Sequence, residues 1–195
     1  MFSVIFPGQG SQIVGMSSEL YSKFDIFKKL YKEADEVLNF PLSKLILEGP
    51  KDQLDLTENT QPAIFLVSYS IFQLLKQEFK IDLNKAKFFA GHSLGEYTAL
   101  ACSGALTFSD TLKILKLRGK AMQTAVPKGE GCMLAILGSD VESIEKIFDE
   151  KKNSYECFIA NDNSNGQLVA SGLTANINNL SLDLTSKNIK NIKLS

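Results

Sequence analysis

Ser93 is the residue best placed to do chemistry. It is the centre of Gly91-His92-Ser93-Leu94-Gly95, a G-x-S-x-G pattern with an apolar run before it (Phe88, Phe89, Ala90) and a helix-like run after it (Glu96 to Cys102). A serine between a strand and a helix, with glycine two places to either side, is the pattern of a nucleophile elbow. Such a turn strains the serine backbone, and glycine lets the strand and helix approach closely. The hydroxyl is lifted clear of the sheet, and the helix amino end behind it offers backbone N–H groups.

A serine alcohol needs a base within hydrogen-bond reach and donors aimed at the developing oxyanion. The Leu94 N–H, at the helix start, is one candidate donor. The loop Pro7-Gly8-Gln9-Gly10-Ser11-Gln12 follows an apolar strand and offers a second donor around Gln9. It lacks the lysine and spacing of a P-loop and does not match G-x-G-x-x-G. Two neighbouring strands ending in such loops form the ligand crevice of an α/β sheet. The base is harder to find, because His92 is the only histidine. Adjacent residues at a sharp turn project in diverging directions, so His92 reads as a hydrogen-bonded or pocket-lining imidazole rather than the general base. Arg118, in Leu117-Arg118-Gly119-Lys120, has two readings. One is a solvated arginine beside Lys116 and Lys120; the other is a bidentate clamp on a substrate carboxylate.

These residues need elements to hold them. Ser3–Phe6 and Lys87–Gly91 read as strands. Apolar residues at three- and four-residue steps predict a helix from about Glu19 to Leu38 and a short amphipathic piece from Leu42 to Leu47. Thr60-Gln61-Pro62 opens another helix, with Pro62 in its first turn, running to about Phe79. Gly104 breaks the helix after the elbow, and Ser109 is expected to cap the next, about Asp110 to Val126. After Pro127 the pattern changes. Strands at Cys132–Leu137, Tyr155–Ala160, Gln167–Ser171 and Asn191–Leu194, with helices at Val141–Lys151 and Thr174–Ser186, give a βαββαβ order, the ferredoxin-like arrangement. Asn161–Gly166 reads as a turn-rich connection. The expected fold is α/β, with residues 1–126 the amino-terminal part of a core and 127–195 a small subdomain. Two strands are few for the helices they must cover, so further core strands are expected beyond Ser195.

At 195 residues, with 44% hydrophobic and 22% charged residues, the chain is an ordinary globular protein. A net charge of −1 gives no footprint for nucleic acid or an anionic membrane. Its longest apolar run, Ala63–Phe72, is too short to span a bilayer, and no secretory signal is read. Cys102, Cys132 and Cys157 lack any CxxC pairing, so they read as reduced cysteines of a cytoplasmic protein with no metal site.

Four ordered motifs resemble those of malonyl-CoA:acyl carrier protein transacylases. They are Phe6-Pro7-Gly8-Gln9-Gly10-Ser11-Gln12, Thr60-Gln61-Pro62-Ala63, Gly91-His92-Ser93-Leu94-Gly95-Glu96-Tyr97 and Arg118-Gly119-Lys120-Ala121-Met122-Gln123. Ala160-Asn161 through Gly166-Gln167, then Val169-Ala170-Ser171-Gly172, is similar to the family's small-subdomain segment. The resemblance implies a hydrolase-like α/β core, here without its carboxyl-terminal strands, carrying a ferredoxin-like subdomain. It implies ping-pong acyl transfer in fatty acid synthesis with no bound cofactor. Ser93 would take malonyl from malonyl-CoA and yield it to the phosphopantetheine thiol of acyl carrier protein. Gln9 and Leu94 match the oxyanion-hole residues and Arg118 the arginine that pairs with the malonyl carboxylate; His92, from its place beside the serine, is read as lining the substrate side.

The family's catalytic histidine, its later core strands and a late pocket glutamine match no residue of this chain. Two versions of the leading reading follow, with a second polypeptide supplying the missing half or an inactive remnant. A non-catalytic module that binds acyl carrier protein or a CoA ester is the alternative from another class, and a serine hydrolase is the third.

Overall fold

The computed structural model describes residues 1–126, 129–150 and 156–194. The chain falls into two compact units, Met1–Ala125 and Val126–Ser195, each with its own buried core. Both combine helices with sheet, so the fold is α/β.

In the first unit, β1 (Ser3–Phe6) pairs in parallel with β2 (Phe88–Gly91), and Phe6 is in register with Gly91. Between them run α1 (Ser18–Lys23), α2 (Asp25–Leu38), α3 (Leu42–Glu48), α4 (Lys51–Leu54) and α5 (Thr57–Gln77), then a 3-10 turn at Leu83–Lys85. After β2 come α6 (Leu94–Cys102) and α7 (Phe108–Ala125). The central element is α5. All eight residues from Asn59 to Leu66 are buried, as expected of a helix surrounded on every side. Phe27, Leu30, Tyr31 and Ala34 of α2, Leu42 and Ile46 of α3, and Leu112 and Leu115 of α7 complete this core.

Several local expectations are corrected. The helix predicted over Glu19–Leu38 is two, because Phe24 is extended (φ −124°, ψ 124°) and its ring meets Phe79 with centroids 6.2 Å apart. The break leaves the burial pattern intact, so periodicity does not detect it. Pro62 is inside α5 rather than in its first turn. The helix gains its extra beginning because Asn59 Nδ2 and Thr60 Oγ1 donate to the Gln53 and Leu54 carbonyls at the end of α4. Thr107, not Ser109, caps α7. Its Oγ1 accepts the Asp110 N–H at 3.1 Å and donates to the Asp110 carboxylate at 2.7 Å, a reciprocal cap.

The second unit is β3 (Gly131–Leu137), α8 (Val141–Glu150), β4 (Cys157–Ser164), β5 (Gln167–Leu173), α9 (Thr174–Ser186) and β6 (Lys190–Leu194). Its strands form one antiparallel sheet in the order β4-β5-β3-β6. Leu134 and Ile136 of β3 and Leu168 and Ala170 of β5 pack with Ile144 and Ile147 of α8 and Ile177, Leu180 and Leu184 of α9. Asn161–Gly166 is less of a turn than its composition suggests. β4 continues to Ser164 with register shifts that absorb the polar residues, and only Asn165-Gly166 turns, with Gly166 at φ +81°. Pro127, Lys151 and Tyr155, where sequence boundaries were expected, lie outside the described residues.

Candidate active site

The junction of β2 and α6 is built on close backbone approach. A Cβ on Gly91 would lie 1.9 Å from the Gly95 carbonyl carbon, and one on Gly95 would lie 2.5 Å from the Phe6 oxygen. No side chain fits at either place. Glycine is needed here for space, since neither residue has a positive φ. The unusual conformation falls on Ser93, at φ 54° and ψ −112°, a region that costs a non-glycine residue free energy. Ser93 is half-buried and directly precedes α6.

The β1–β2 register brings the loop after Phe6 alongside this turn. His92 N donates to the Phe6 oxygen at 3.2 Å, and a Cβ on Gly8 would lie 2.6 Å from His92 Nδ1. The exposed His92 therefore has its ring against Gly8. The loop is tied down by its own polar groups. Ser11 Oγ donates to the Gly8 carbonyl at 3.0 Å, and Gln12 Oε1 accepts the Gly10 N–H at 2.9 Å. Gln12 Nε2 reaches Asp55 at 2.9 Å, and Gln9 Nε2 reaches Thr57 Oγ1 at 3.3 Å, joining the loop to the start of α5.

Arg118 arrives from α7. Where α5 and α7 cross, a Cβ on Gly119 would lie 2.6 Å from both the Glu58 Cα and the Thr57 oxygen. This contact sets the neighbouring Arg118 beside α5 and the elbow. Its Nη2 donates to Ser93 Oγ at 3.1 Å, and its Nη1 donates to Gln61 Oε1 at 2.7 Å. The Tyr97 ring lies 5.6 Å from the guanidinium carbon. Arg118 is thus half-buried and held by protein partners rather than solvated. Lys116 is held differently, by Asn59 at 2.7 Å, by Glu58 at 3.6 Å and over the Phe40 ring.

The structure therefore brings Ser93, Leu94 and Arg118 together, with His92 against the neighbouring loop that carries Gln9. Leu94, fully buried, opens the first turn of α6, where backbone N–H groups point out of the helix. Arg118 offers positive charge next to the hydroxyl but cannot take its proton, because a guanidinium only donates. Sequence reading gave no role to Gln61 or Tyr97. Gln61 stands within a helix-opening tripeptide and one of the four family-like motifs, and nothing in its spacing points to Arg118, 57 positions away. An apolar groove of about 380 Å³ between β1 and α5 is a separate feature, lined by Ile5, Phe6, Ile64, Ile71 and Phe72 among others and not by Ser93 or Arg118. Two of the thiols are not activated: burial pushes Cys102 up to about 12 and Cys157 up to about 11.

A family model described as an acyl transferase domain matches residues 3–193. The chain belongs to the acyl transferase domain family. The malonyl CoA-acyl carrier protein transacylase of Bacillus subtilis (strain 168) is 44% identical over 187 residues, 94% of this chain and 57% of the relative. The crystal structure of an acyl-carrier-protein-S-malonyltransferase from Bartonella henselae superposes with a TM-score of 0.92 at 38% identity, over 100% of this chain and 62% of that one. A malonyl-transacylase in complex with its type II PKS acyl-carrier protein gives a TM-score of 0.89 at 36% identity, again over 100% of this chain and 62% of that one. The chain spans little more than half the length of the curated relatives it matches. Among its described residues, no helix is long and apolar enough to cross a membrane.

Proposed function

We propose that Ser93 accepts a malonyl group from malonyl-CoA and passes it to the phosphopantetheine thiol of acyl carrier protein, in cytoplasmic fatty acid synthesis. One observation carries this reading: the Arg118 guanidinium sits 3.1 Å from the Ser93 hydroxyl at the turn between β2 and α6. In a malonyl-serine ester the free carboxylate is only two carbons from the acyl carbon, so the cation beside Oγ is within a small swing of it. A fixed planar fork then pairs with that carboxylate bidentately. The Gln9 and Leu94 backbone N–H groups are the proposed oxyanion donors, and His92 lines the substrate side. Residues 1–126 are read as the amino-terminal part of a hydrolase-like core and 127–195 as a ferredoxin-like subdomain, supported by the βαββαβ order and by strand order β4-β5-β3-β6. The carrier-protein partner is supported by the relatives' names and by the complex of a similar malonyl-transacylase with its carrier protein.

One observation favours a second reading, a module that binds a CoA ester or acyl carrier protein without turning it over. The chain's only histidine has its ring on Gly8, and Arg118 cannot act as base. Intact-mass measurement after mixing with malonyl-CoA separates the readings. A malonyl adduct absent from Ser93→Ala and transferred to carrier protein supports transacylation. Binding without an adduct supports the module, free malonate without transfer a hydrolase, and neither binding nor adduct an inactive remnant. If a second polypeptide completes the site, the adduct appears only when it is added.

A further inference from the structure

Gln61 is a fully buried side chain whose amide has a partner at both ends. Its Oε1 accepts from Arg118 Nη1 at 2.7 Å, and its Nε2 donates to Met122 Sδ at 3.3 Å. The orientation of the amide follows from chemistry. A guanidinium has donors only, so the oxygen must face it, and the thioether sulfur is a weak acceptor suited to the NH₂. Because the guanidinium is planar, fixing Nη1 on one side fixes the direction in which Nη2 points. That direction is toward Ser93 Oγ. Tyr97 lies near the guanidinium carbon as a further support.

An amide in this position has a second consequence. A carboxylate there would hold Arg118 as firmly or more so, but its negative charge would compete with any anionic ligand for the same cation. The neutral amide holds the arginine and leaves its charge to the ligand.

We propose that Gln61 is a positioning and specificity-determining residue: it aims the Arg118 guanidinium at the Ser93 pocket without neutralising it, and so sets the preference for a carboxylate-bearing acyl group over a neutral one. This rests on the reading of Ser93 and Arg118 as an acyl-accepting site.

The test compares calorimetric affinities for malonyl-CoA and acetyl-CoA in a Ser93→Ala background, which prevents acylation. Three further substitutions are made in it: Gln61→Glu, of the same shape but charged; Gln61→Met, of similar volume without the acceptor; and Met122→Leu, at a half-exposed site, which loosens only the far end of the amide. The ratio of malonyl-CoA to acetyl-CoA affinity is expected to fall about tenfold or more in Gln61→Glu, about threefold to tenfold in Gln61→Met, and about twofold in Met122→Leu. A purely structural role would weaken both esters equally, leaving the ratio unmoved, and that result overturns the proposal. Met122→Leu keeps the question decidable if a residue-61 variant fails to fold, since an unchanged ratio there also counts against it. If the background protein itself shows no preference, the carboxylate-clamp reading of Arg118 fails and this inference with it. If it prefers malonyl-CoA and the variants retain that preference, only the role of Gln61 is lost.

Discussion

Two regions of this protein reach order by different means, the elbow around Ser93 and the sheet core of the second unit. Around Ser93, structure depends on what is absent: Gly91 against Gly95, Gly95 against the Phe6 oxygen, Gly8 against His92 and Gly119 against Glu58 all bring backbone where a side chain would stand. In the second unit, order comes from what is present. Leu134, Ile136, Leu168 and Ala170 alternate or cluster on two neighbouring strands and fill the space beneath α8 and α9. A site that must hold a hydroxyl, a guanidinium and backbone donors within a few ångströms needs main chains closer than side chains permit. A self-contained sheet needs only volume. Added atoms should damage the elbow where removed atoms damage the second unit's core.

The sharpest form of that contrast is Gly91→Ala. The new methyl would fall within 2.0 Å of the Gly95 carbonyl group, backbone that no rotamer change can move aside. The expected loss is roughly 4 kcal/mol or more, the range reserved for specific structural faults. Denaturant melts of the first unit's transition would show it. A variant within 1 kcal/mol of the parent would mean that the elbow can open without cost, and the contrast would collapse.

Ile136→Ala tests the other side. Ile136 is fully buried on β3, and its removal leaves a cavity within the cluster that it shares with Ile144, Leu168 and Leu184. Large-to-small changes of this kind cost about 2–5 kcal/mol. The loss should appear in the second unit, read by hydrogen exchange of the β3 and β5 amides, while the first unit's amides keep their protection. Equal loss of protection in both would show that the units unfold as one, and their separate treatment would be wrong.

What could be read in advance follows the same division. The second unit was legible element by element, because its period-2 strands and amphipathic helices carry their burial in the sequence. Even so, the length of β4 was missed: Asn161–Ser164 looks like a turn by composition, and register shifts accommodate it within the strand. In the first unit the elbow was legible through its glycines, whereas the break at Phe24 and the early start of α5 were not. Both depend on partners far away in sequence or on caps made by a neighbouring helix, Phe79 for one and the Gln53 and Leu54 carbonyls for the other. Arg118 could be singled out by type, but its hold by Gln61 could not, since a glutamine between Thr60 and Pro62 in a helix gives no sign of what it faces.

A smaller effect is expected at the start of α7, which carries Arg118. Thr107→Ala removes both halves of the reciprocal cap with Asp110. Caps of this kind contribute about 1 kcal/mol, and Thr107→Ser, which keeps the hydroxyl, should restore most of it in the same melt. Failure of the serine variant to restore stability would mean that the threonine methyl, and not the cap, is what matters there.

The smallest effect makes the most demanding comparison, because it sets one strand isoleucine against another. Ile5 lies on β1 and is 77% exposed, whereas Ile136 on β3 is 0% exposed. Residue type is shared while burial differs, so burial is expected to dominate the difference in cost. Ile5→Ser should stay within about 0.5 kcal/mol of the parent, as for surface positions generally. It should also leave the Ser93–Arg118 geometry intact, since Ile5 lines the apolar groove and that groove does not reach those residues. A loss above about 1 kcal/mol in the purified chain would show that something covers β1 in solution, and concentration dependence of the melt would show whether it is a second copy. The β1 face would then be held by filled volume like the second unit's sheet, and the contrast would narrow to the elbow itself.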